Sequence, residues 1–254
     1  MKVIGIIPAR YASTRFPGKP LAEIAGKPMI QRVYEQVSPL LDSTYVATDD
    51  ERIAHAVKNF GGNVVMTATT HRSGTDRCQE AYERIGKGED IIVNIQGDEP
   101  FIQPAQIKTL ISCFDHEKVD IATLVMPFDK NADYEKDLAN PNSPKVVLNL
   151  KNEALYFSRA VIPFFRGKEK EQWLLNHTYY KHIGLYAYRA KILKEITQLQ
   201  ASPLEKVESL EQLRWIENGY KIKVGITQQQ TIGIDTPADL DRAVAYMKRL
   251  TRNK

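Results

Sequence analysis

Between Pro8 and Pro20 the chain carries Arg10, Arg15 and Lys19 together with Ser13, Thr14 and Gly18, and no carboxylate occurs before Glu23. Three cations and two hydroxyls in one short loop make a cradle for a polyanion, because phosphate-type oxygens find charged or hydroxyl donors on several sides. The loop is not a Walker loop: Pro20 follows Gly18-Lys19, no glycine stands five positions earlier, and Gly-x-Gly-x-x-Gly occurs nowhere. A second candidate is the apolar run Ile91–Ile95, which ends in Gln96-Gly97-Asp98-Glu99-Pro100. Asp98, delivered by the end of a buried strand, is placed to hold a divalent cation, since Mg²⁺ takes one or two protein carboxylates and fills its other positions with phosphate and water. Asp235 repeats the arrangement after a short strand expected at Thr231–Ile234. The ordinary alternatives are a solvated basic loop, a Gly-Asp turn and helix-start chemistry.

Two further groups could recognise a hydroxylated ligand. His71-Arg72-Ser73-Gly74-Thr75-Asp76-Arg77 is a polar loop before a helix expected at Asp76–Ile85, with Thr75 as its cap; it offers amides and hydroxyls to a base or ribose. In the second half, Ser158, Arg159, Arg166, His182 and Tyr186 lie in or beside strand-like runs, and Glu208, Glu211 and Gln212 share a face of one helix expected at Leu204–Asn218. Arginine for a carboxylate and His, Tyr, Glu and Gln for hydroxyls suit a polyhydroxy acid. A solvated helix edge and a core histidine are the plainer account.

Positioning these residues requires a sheet whose strand ends converge. Short β-branched runs at Val3–Ile7, Tyr45–Ala47, Val64–Met66, Ile91–Ile95 and Ile121–Met126 alternate with segments of helical periodicity, which predicts crossover units and a mostly parallel sheet flanked by helices. Ligands bind at the carboxyl edge of such a sheet. From about Ala132 the rhythm changes to an antiparallel pattern. Val146–Leu150 and Ala154–Phe157 are joined by a Lys151-Asn152-Glu153 hairpin loop, followed by a charged insertion at Arg166–Gln172, a strand at His182–Tyr188 and a helix at Ala190–Thr197. Thr236-Pro237-Ala238-Asp239 opens a last helix with an apolar face of Leu240, Ala243, Val244 and Met247. The expectation is one α/β domain over residues 1–254 with a smaller antiparallel part at about 132–190.

Composition narrows the classes. The chain has 254 residues, 43% hydrophobic, enough for an ordinary core. Lys and Arg number 35 against 31 Asp and Glu, a net charge of +4, too slight for a nucleic-acid partner but compatible with a small anionic substrate. Cys78 and Cys113 form no Cys-x-x-Cys pair, which excludes a disulfide framework or structural zinc site and points to a reducing cytoplasm. The longest apolar stretch, Ile121–Phe128, is far short of the ~20 residues of a membrane helix, and no targeting segment is visible.

Taken together, the motifs resemble the sugar-acid cytidylyltransferases. Ile7-Pro8-Ala9-Arg10-x-x-Ser13-Thr14-Arg15-Phe16-Pro17-Gly18-Lys19-Pro20-Leu21 and Gly26-Lys27-Pro28-Met29-Ile30 are similar to that family's opening. Further matches follow in order at Val46–Asp50, Ser73–Arg77, Asn94–Pro100, Ala154–Arg159, His182–Gly184, Leu210–Arg214 and Asp235–Pro237. Pro20-Leu21 follows the pattern of the branch acting on 3-deoxy-manno-octulosonate (Kdo) rather than that of the sialic-acid relatives. The resemblance implies a nucleotide-binding α/β sheet, CTP and Kdo as substrates, Mg²⁺ as cofactor and a homodimer formed through the antiparallel part. It implies that Ala9, Arg10, Ser13, Arg15 and Lys19 bind the triphosphate, with Arg10 and Lys19 catalytic, and that Ser73, Thr75 and Arg77 help seat the nucleoside. Asp98 and Asp235 would be the catalytic metal ligands. Gln96, Arg159, Arg166, His182, Tyr186, Glu211 and Gln212 would line the sugar pocket. Another acidic sugar (an 8-amino analogue of Kdo or a sialic acid) and a non-catalytic binding regulator are the alternatives.

Overall fold

The computed structural model describes residues 1–13, 15–115, 118–229 and 233–252. In chain order the elements are β1 (Val3–Ala9), β2 (Glu23–Ile24), β3 (Lys27–Pro28), α1 (Met29–Val37), β4 (Ser43–Thr48), α2 (Glu51–Asn59), β5 (Val64–Met66), α3 (Gly74–Ile85), β6 (Ile91–Asn94) and α4 (Pro104–Ser112). The second half continues with β7 (Ile121–Pro127), β8 (Lys145–Leu148), β9 (Ala154–Ser158), α5 (Trp173–Asn176), β10 (Tyr180–Arg189), α6 (Ala190–Thr197), α7 (Pro203–Glu208), α8 (Gln212–Glu217), β11 (Ile222–Ile226) and α9 (Pro237–Arg252). The chain divides into two compact units, Met1–Ile107 with Thr231–Lys254, and Lys108–Gln230.

In the first unit, β6, β1, β4 and β5 pair in that order, all parallel. The unbroken apolar runs of β1 and β6 are those of strands covered on both faces. The covering helices bury apolar residues at helical spacing: Met29, Ile30, Val33 and Val37 on α1, and Ile53, Ala54 and Val57 on α2. Helix α9 belongs to the same unit: Ala243 and Ile234 are buried with Ile24, Met29 and Phe101, and Leu240, Val244 and Met247 pack against that cluster. The apolar face read in the sequence is therefore the face that seats α9, and it carries Asp235 to the sheet unit despite the long intervening chain. Of the strand expected at Thr231–Ile234, Thr231 and Ile232 lie outside the described residues, and Gly233 and Ile234 form no strand.

In the second unit β7 pairs parallel with β11 and antiparallel with β10, while β8 and β9 form a hairpin that joins β10. Lys151-Asn152-Glu153 is the hairpin loop, closed by Asn149 Oδ1, which accepts from the amides of Lys151 and Glu153 at 2.9 Å each. Two expectations need correction here. Ile121–Met126 is not a further strand of the first half's parallel series, because its strand β7 takes β10 as an antiparallel neighbour and β11 as its parallel one. The single helix expected over Leu204–Asn218 is two helices, broken at Ser209, whose φ of 51° is left-handed. Helix α7 is fixed at its start by a capping box of Ser202 and Glu205. Arg214 of α8 donates back to Glu205 at 2.8 and 2.5 Å, so α8 folds onto α7 instead of extending it. Glu208 consequently shares no helix face with Glu211 and Gln212.

Candidate active site

The first unit holds a cavity of about 260 Å³ at the carboxyl ends of its parallel strands. Three segments build it. The first is the loop after β1, contributing Ala9, Arg10, Ser13, Arg15 and Lys19. Gly18 adopts φ +71° and caps a short 3₁₀ turn over Lys19–Leu21, which aims the Lys19 side chain inward. Ser13 Oγ accepts from the amide of Phe16 at 3.3 Å and braces the loop. Thr14 lies outside the described residues.

The second segment follows β6, contributing Gln96, Gly97 and Asp98. Gly97 is required by close approach: a Cβ there would stand 3.0 Å from the Pro8 carbonyl oxygen. The third is the turn into α3, with His71, Arg72, Ser73, Gly74 and Arg77. The cap of α3 is Ser73, whose side chain accepts from the Asp76 amide at 3.1 Å, not Thr75, which is buried within the helix's first turn. The helix thus starts at Gly74, two residues earlier than its periodicity suggests. A Cβ on Gly74 would stand 3.2 Å from Pro8 Cγ, so Pro8 is flanked by both glycines.

Asp235 joins these segments. Asp98 and Asp235 share Lys19: Nζ lies 2.6 Å from Asp98 Oδ2 and 3.3 Å from Asp235 Oδ1. Arg15 Nη2 reaches Asp235 Oδ1 at 3.1 Å, an exposed pair of little energetic weight. The two carboxylates are held close by backbone as well, since Ile234 N donates to the Asp98 carbonyl at 2.9 Å. Asp239 Oδ2 accepts from Thr236 N and Oγ1 at 2.8 Å each, fixing the start of α9 directly after Asp235.

Among the described residues no cluster of three or more His, Cys, Asp and Glu side chains could hold a metal. The donors beside the basic loop are two hard carboxylate oxygens, a set that fits Mg²⁺ only when phosphate oxygens and water complete its shell. Two carboxylates next to Arg10, Arg15 and Lys19 therefore suit a metal–polyphosphate complex better than a bare ion.

Arg77 lines the cavity, yet its guanidinium is spent on protein groups. Nη1 donates to Thr67 Oγ1 at 2.6 Å and Nη2 to Asp49 Oδ2 at 2.8 Å, with Arg77 only 4% exposed. His71 contacts Glu80, which also accepts from Ala68 N and Arg84. Burial pushes the Glu80 carboxyl up, but these donors outweigh it and the net shift is downward. Asp49 entered the sequence reading only within the Val46–Asp50 match, with no role, and Glu80 not at all, because nothing in the spacing ties them to Arg77 and His71.

Of the residues expected to bind sugar, Gln96 lines this cavity and the others fall in the second unit. Arg159 donates Nε to the Glu208 carbonyl at 2.6 Å and Nη1 to the Pro141 carbonyl at 2.8 Å. The Glu208 carboxylate accepts from Ser158 Oγ at 2.6 Å and Arg159 N at 2.9 Å. Arg166 is exposed in the loop between β9 and α5. His182 and Tyr186, both on β10, have ring centroids 5.3 Å apart, and Tyr186 meets Trp215 edge-on at 5.1 Å. His182 Nε2 lies 3.1 Å from Thr123 Oγ1, and burial lowers its pKa to about 3, so the ring is neutral at ordinary pH. Burial pushes the Tyr186 hydroxyl well above its ordinary value. The Thr123 side chain stands beside Tyr186 Oη and opposes part of that rise, and Gln212 Nε2 is buried without a hydrogen-bond partner among the described residues.

A parallel α/β sheet with a cationic loop and paired carboxylates at its carboxyl edge suits an anionic, nucleotide-type ligand. The cytidylyltransferase family model matches residues 4–222, and the chain belongs to that family. It is 70% identical to a 3-deoxy-manno-octulosonate cytidylyltransferase of Parabacteroides distasonis, over 97% of this chain and 98% of that one. A protein of the same name from Phocaeicola vulgatus is 66% identical over 98% of each. Among solved structures, CMP:2-keto-3-deoxy-manno-octonic acid synthetase complexed with CTP superimposes with a TM-score of 0.89 at 42% identity, covering 98% of this chain and 99% of that one.

Proposed function

We propose that the chain transfers the cytidylyl group of CTP to the anomeric 2-hydroxyl of Kdo, giving CMP-Kdo and pyrophosphate, the sugar-activation step for lipopolysaccharide synthesis. The observation that carries this reading is Lys19 Nζ within reach of both Asp98 and Asp235, in a cavity that Arg10, Ser13 and Arg15 also line. The names of the relatives and the CTP complex of the structural neighbour support the choice of substrates.

In the reaction the sugar hydroxyl oxygen bonds to the α-phosphorus, the bond from that phosphorus to the bridging oxygen breaks, and pyrophosphate leaves with the electron pair. The hydroxyl proton passes to solvent. Mg²⁺ held by Asp98 and Asp235 would supply charge neutralisation at the α-phosphate and a lowered pKa for the attacking hydroxyl. Arg10 and Lys19 face the departing pyrophosphate as fixed cations and stabilise its developing charge. Arg15, Ser13 and the Ala9 backbone hold the triphosphate, while Ser73, Thr75 and Arg77 shape the nucleoside side from the start of α3. Gln96, Arg159, Arg166, His182, Tyr186, Glu211 and Gln212 serve the sugar acid. His182 acts as a neutral hydrogen-bonding group, because a ring with a pKa of about 3 is too weak a base to take the hydroxyl proton.

A homodimer in the cytoplasm belongs to the same reading, and the buried free thiols Cys78 and Cys113 fit a reducing compartment. Sedimentation equilibrium tests the dimer. For the activity, pyrophosphate release is followed with CTP, Mg²⁺ and Kdo; release that needs all three is expected. Tight CTP binding with no release under any of these conditions would leave a binding protein instead.

A further inference from the structure

The basic loop is long and glycine-hinged, yet Lys19 must arrive at one place. Two residues that do not line the cavity bear on its position. Tyr11, the second residue after β1, lies with its ring beneath the Arg52 guanidinium, whose carbon is 3.3 Å from the ring centroid. Arg52 is in the first turn of α2 and is itself clamped by the helix cap. Asp50 Oδ1 accepts from Arg52 N at 2.9 Å and Nε at 3.0 Å, and Asp50 Oδ2 accepts from Nη2 at 2.6 Å. A guanidinium gripped along one edge presents its flat face to the ring.

Tyr11 also meets the hinge. Its carbonyl accepts from Gly18 N at 2.9 Å, and a Cβ on Gly18 would stand 3.0 Å from the Tyr11 Cζ and Oη atoms. Tyr11 therefore spans from α2 to the residue that precedes Lys19. Both anchors spring from paired strand ends, because Ala9 of β1 is in register with Thr48 of β4, and Asp50 N donates to Thr48 Oγ1 at 3.2 Å. Tyr11 and Asp50 each stand two residues beyond that registered pair, so the clamp is set by the sheet and not by loop chemistry alone.

The geometry points to Arg52 and Tyr11 as positioning residues that latch the phosphate loop to α2 and preset Lys19 for the nucleotide. Neither touches the cavity. This rests on the proposed CTP reaction, and it goes beyond it in assigning the order of the loop to a stack on its outer side. Small misplacements of a catalytic group can lower rates by up to about 10²-fold, so loosening the latch should act on the step that engages the triphosphate.

The test is steady-state kinetics of Tyr11→Ala, Tyr11→Phe, Arg52→Gln and the Tyr11→Ala/Arg52→Gln double variant, each with its thermal midpoint. Tyr11→Ala and Arg52→Gln should raise KM for CTP about tenfold, on the scale of a lost contact worth one decade, while KM for Kdo stays within about twofold. Tyr11→Phe, which keeps the ring, should behave as wild type, and the double variant should be no worse than the worse single, as expected of one coupled unit. Trypsin cleavage after Arg10 and Arg15 should speed up in the latch variants and be suppressed by CTP. An unchanged KM for CTP in Arg52→Gln, an exposed change the fold tolerates, overturns the latch even if Tyr11→Ala fails to fold. So does a Tyr11→Phe variant as impaired as Tyr11→Ala, or a KM for Kdo that rises in step with that for CTP. Wild-type protein that releases no pyrophosphate defeats the proposed reaction instead, and faster trypsin cleavage in the variants still reads the latch on its own.

Discussion

The amide of Ile234 donates to the carbonyl of Asp98 at 2.9 Å, and this backbone bond ties the segment before α9 to the turn after β6. Ile234 is fully buried in the cluster that seats α9, so the bond is held from the core side. Asp235, the next residue, is thereby fixed beside Asp98, and both face Lys19. Truncating the anchor tests this. Ile234→Ala should cost about 2–5 kcal/mol of stability through the cavity it leaves and lower kcat/KM beyond what unfolding explains, measured below the variant's own melting transition.

Gly97 makes the same point by crowding. A methyl group there would press on the Pro8 carbonyl at 3.0 Å, and that neighbour is backbone and cannot swing aside. Gly97→Ala should destabilise by about 1–3 kcal/mol and reduce kcat/KM by about tenfold or more as Asp98 is displaced. Thermal unfolding and pyrophosphate-release kinetics read the two effects separately.

Lys19 is the cation both carboxylates face in the chain alone. Lys19→Met should lower pyrophosphate release by about 10²-fold or more, as for loss of a transition-state contact. The same change should tighten Mn²⁺ binding to nucleotide-free protein severalfold, because two adjacent acids lose their internal counter-charge. Electron paramagnetic resonance of free Mn²⁺ measures that affinity directly. A weaker Mn²⁺ affinity in the variant would contradict the shared arrangement.

Arg77 and Asp49 form a pair whose side chains are 4% and 15% exposed. Asp49→Ala leaves the guanidinium without its counter-charge and should cost about 3 kcal/mol, seen as a melting point lower by roughly 6–12 °C. Arg77→Lys should recover little of Arg77's role, since an ammonium cannot make the same forked reach to Thr67 and Asp49.

His182 carries a pH signature. Its pKa is about 3 in the folded chain and about 6.5 when unfolded. Below pH 6.5 the unfolded chain takes up a proton that the buried ring refuses, so stability falls as pH drops towards 3, by at most about 1.4 kcal/mol per pH unit from this group. In His182→Asn that contribution is gone. The wild type's advantage in melting temperature should therefore shrink between pH 7 and pH 5, whereas a constant difference would refute the assignment.

Much of this was legible in the residues themselves. Helix α6 has the limits its periodicity predicts, and the α9 face of Leu240, Ala243, Val244 and Met247 packs as a face. The loop chemistry from Arg10 to Lys19 needed only residue types and a preceding strand. What the sequence hid were features set by distant partners. Ser209 takes a left-handed conformation without being a glycine, because Arg214 draws α8 back onto Glu205. Ser73 and Thr75 are equally good caps in isolation, and only the start of α3 separates them. In the sequence Arg77 is the last residue of a polar loop that could serve a base or ribose; its commitment to Asp49 and Thr67 exists only once β4 and α3 are side by side.

The most direct test is pyrophosphate release at ordinary Mg²⁺ by Asp98→Asn, Asp235→Asn and the double variant. Each single change should cost about 10²-fold or more, and the double should lose little beyond the worse single, because both residues serve one site. Near-wild-type turnover by either single variant, or fully multiplicative losses in the double, would contradict a shared carboxylate pair at the nucleotide.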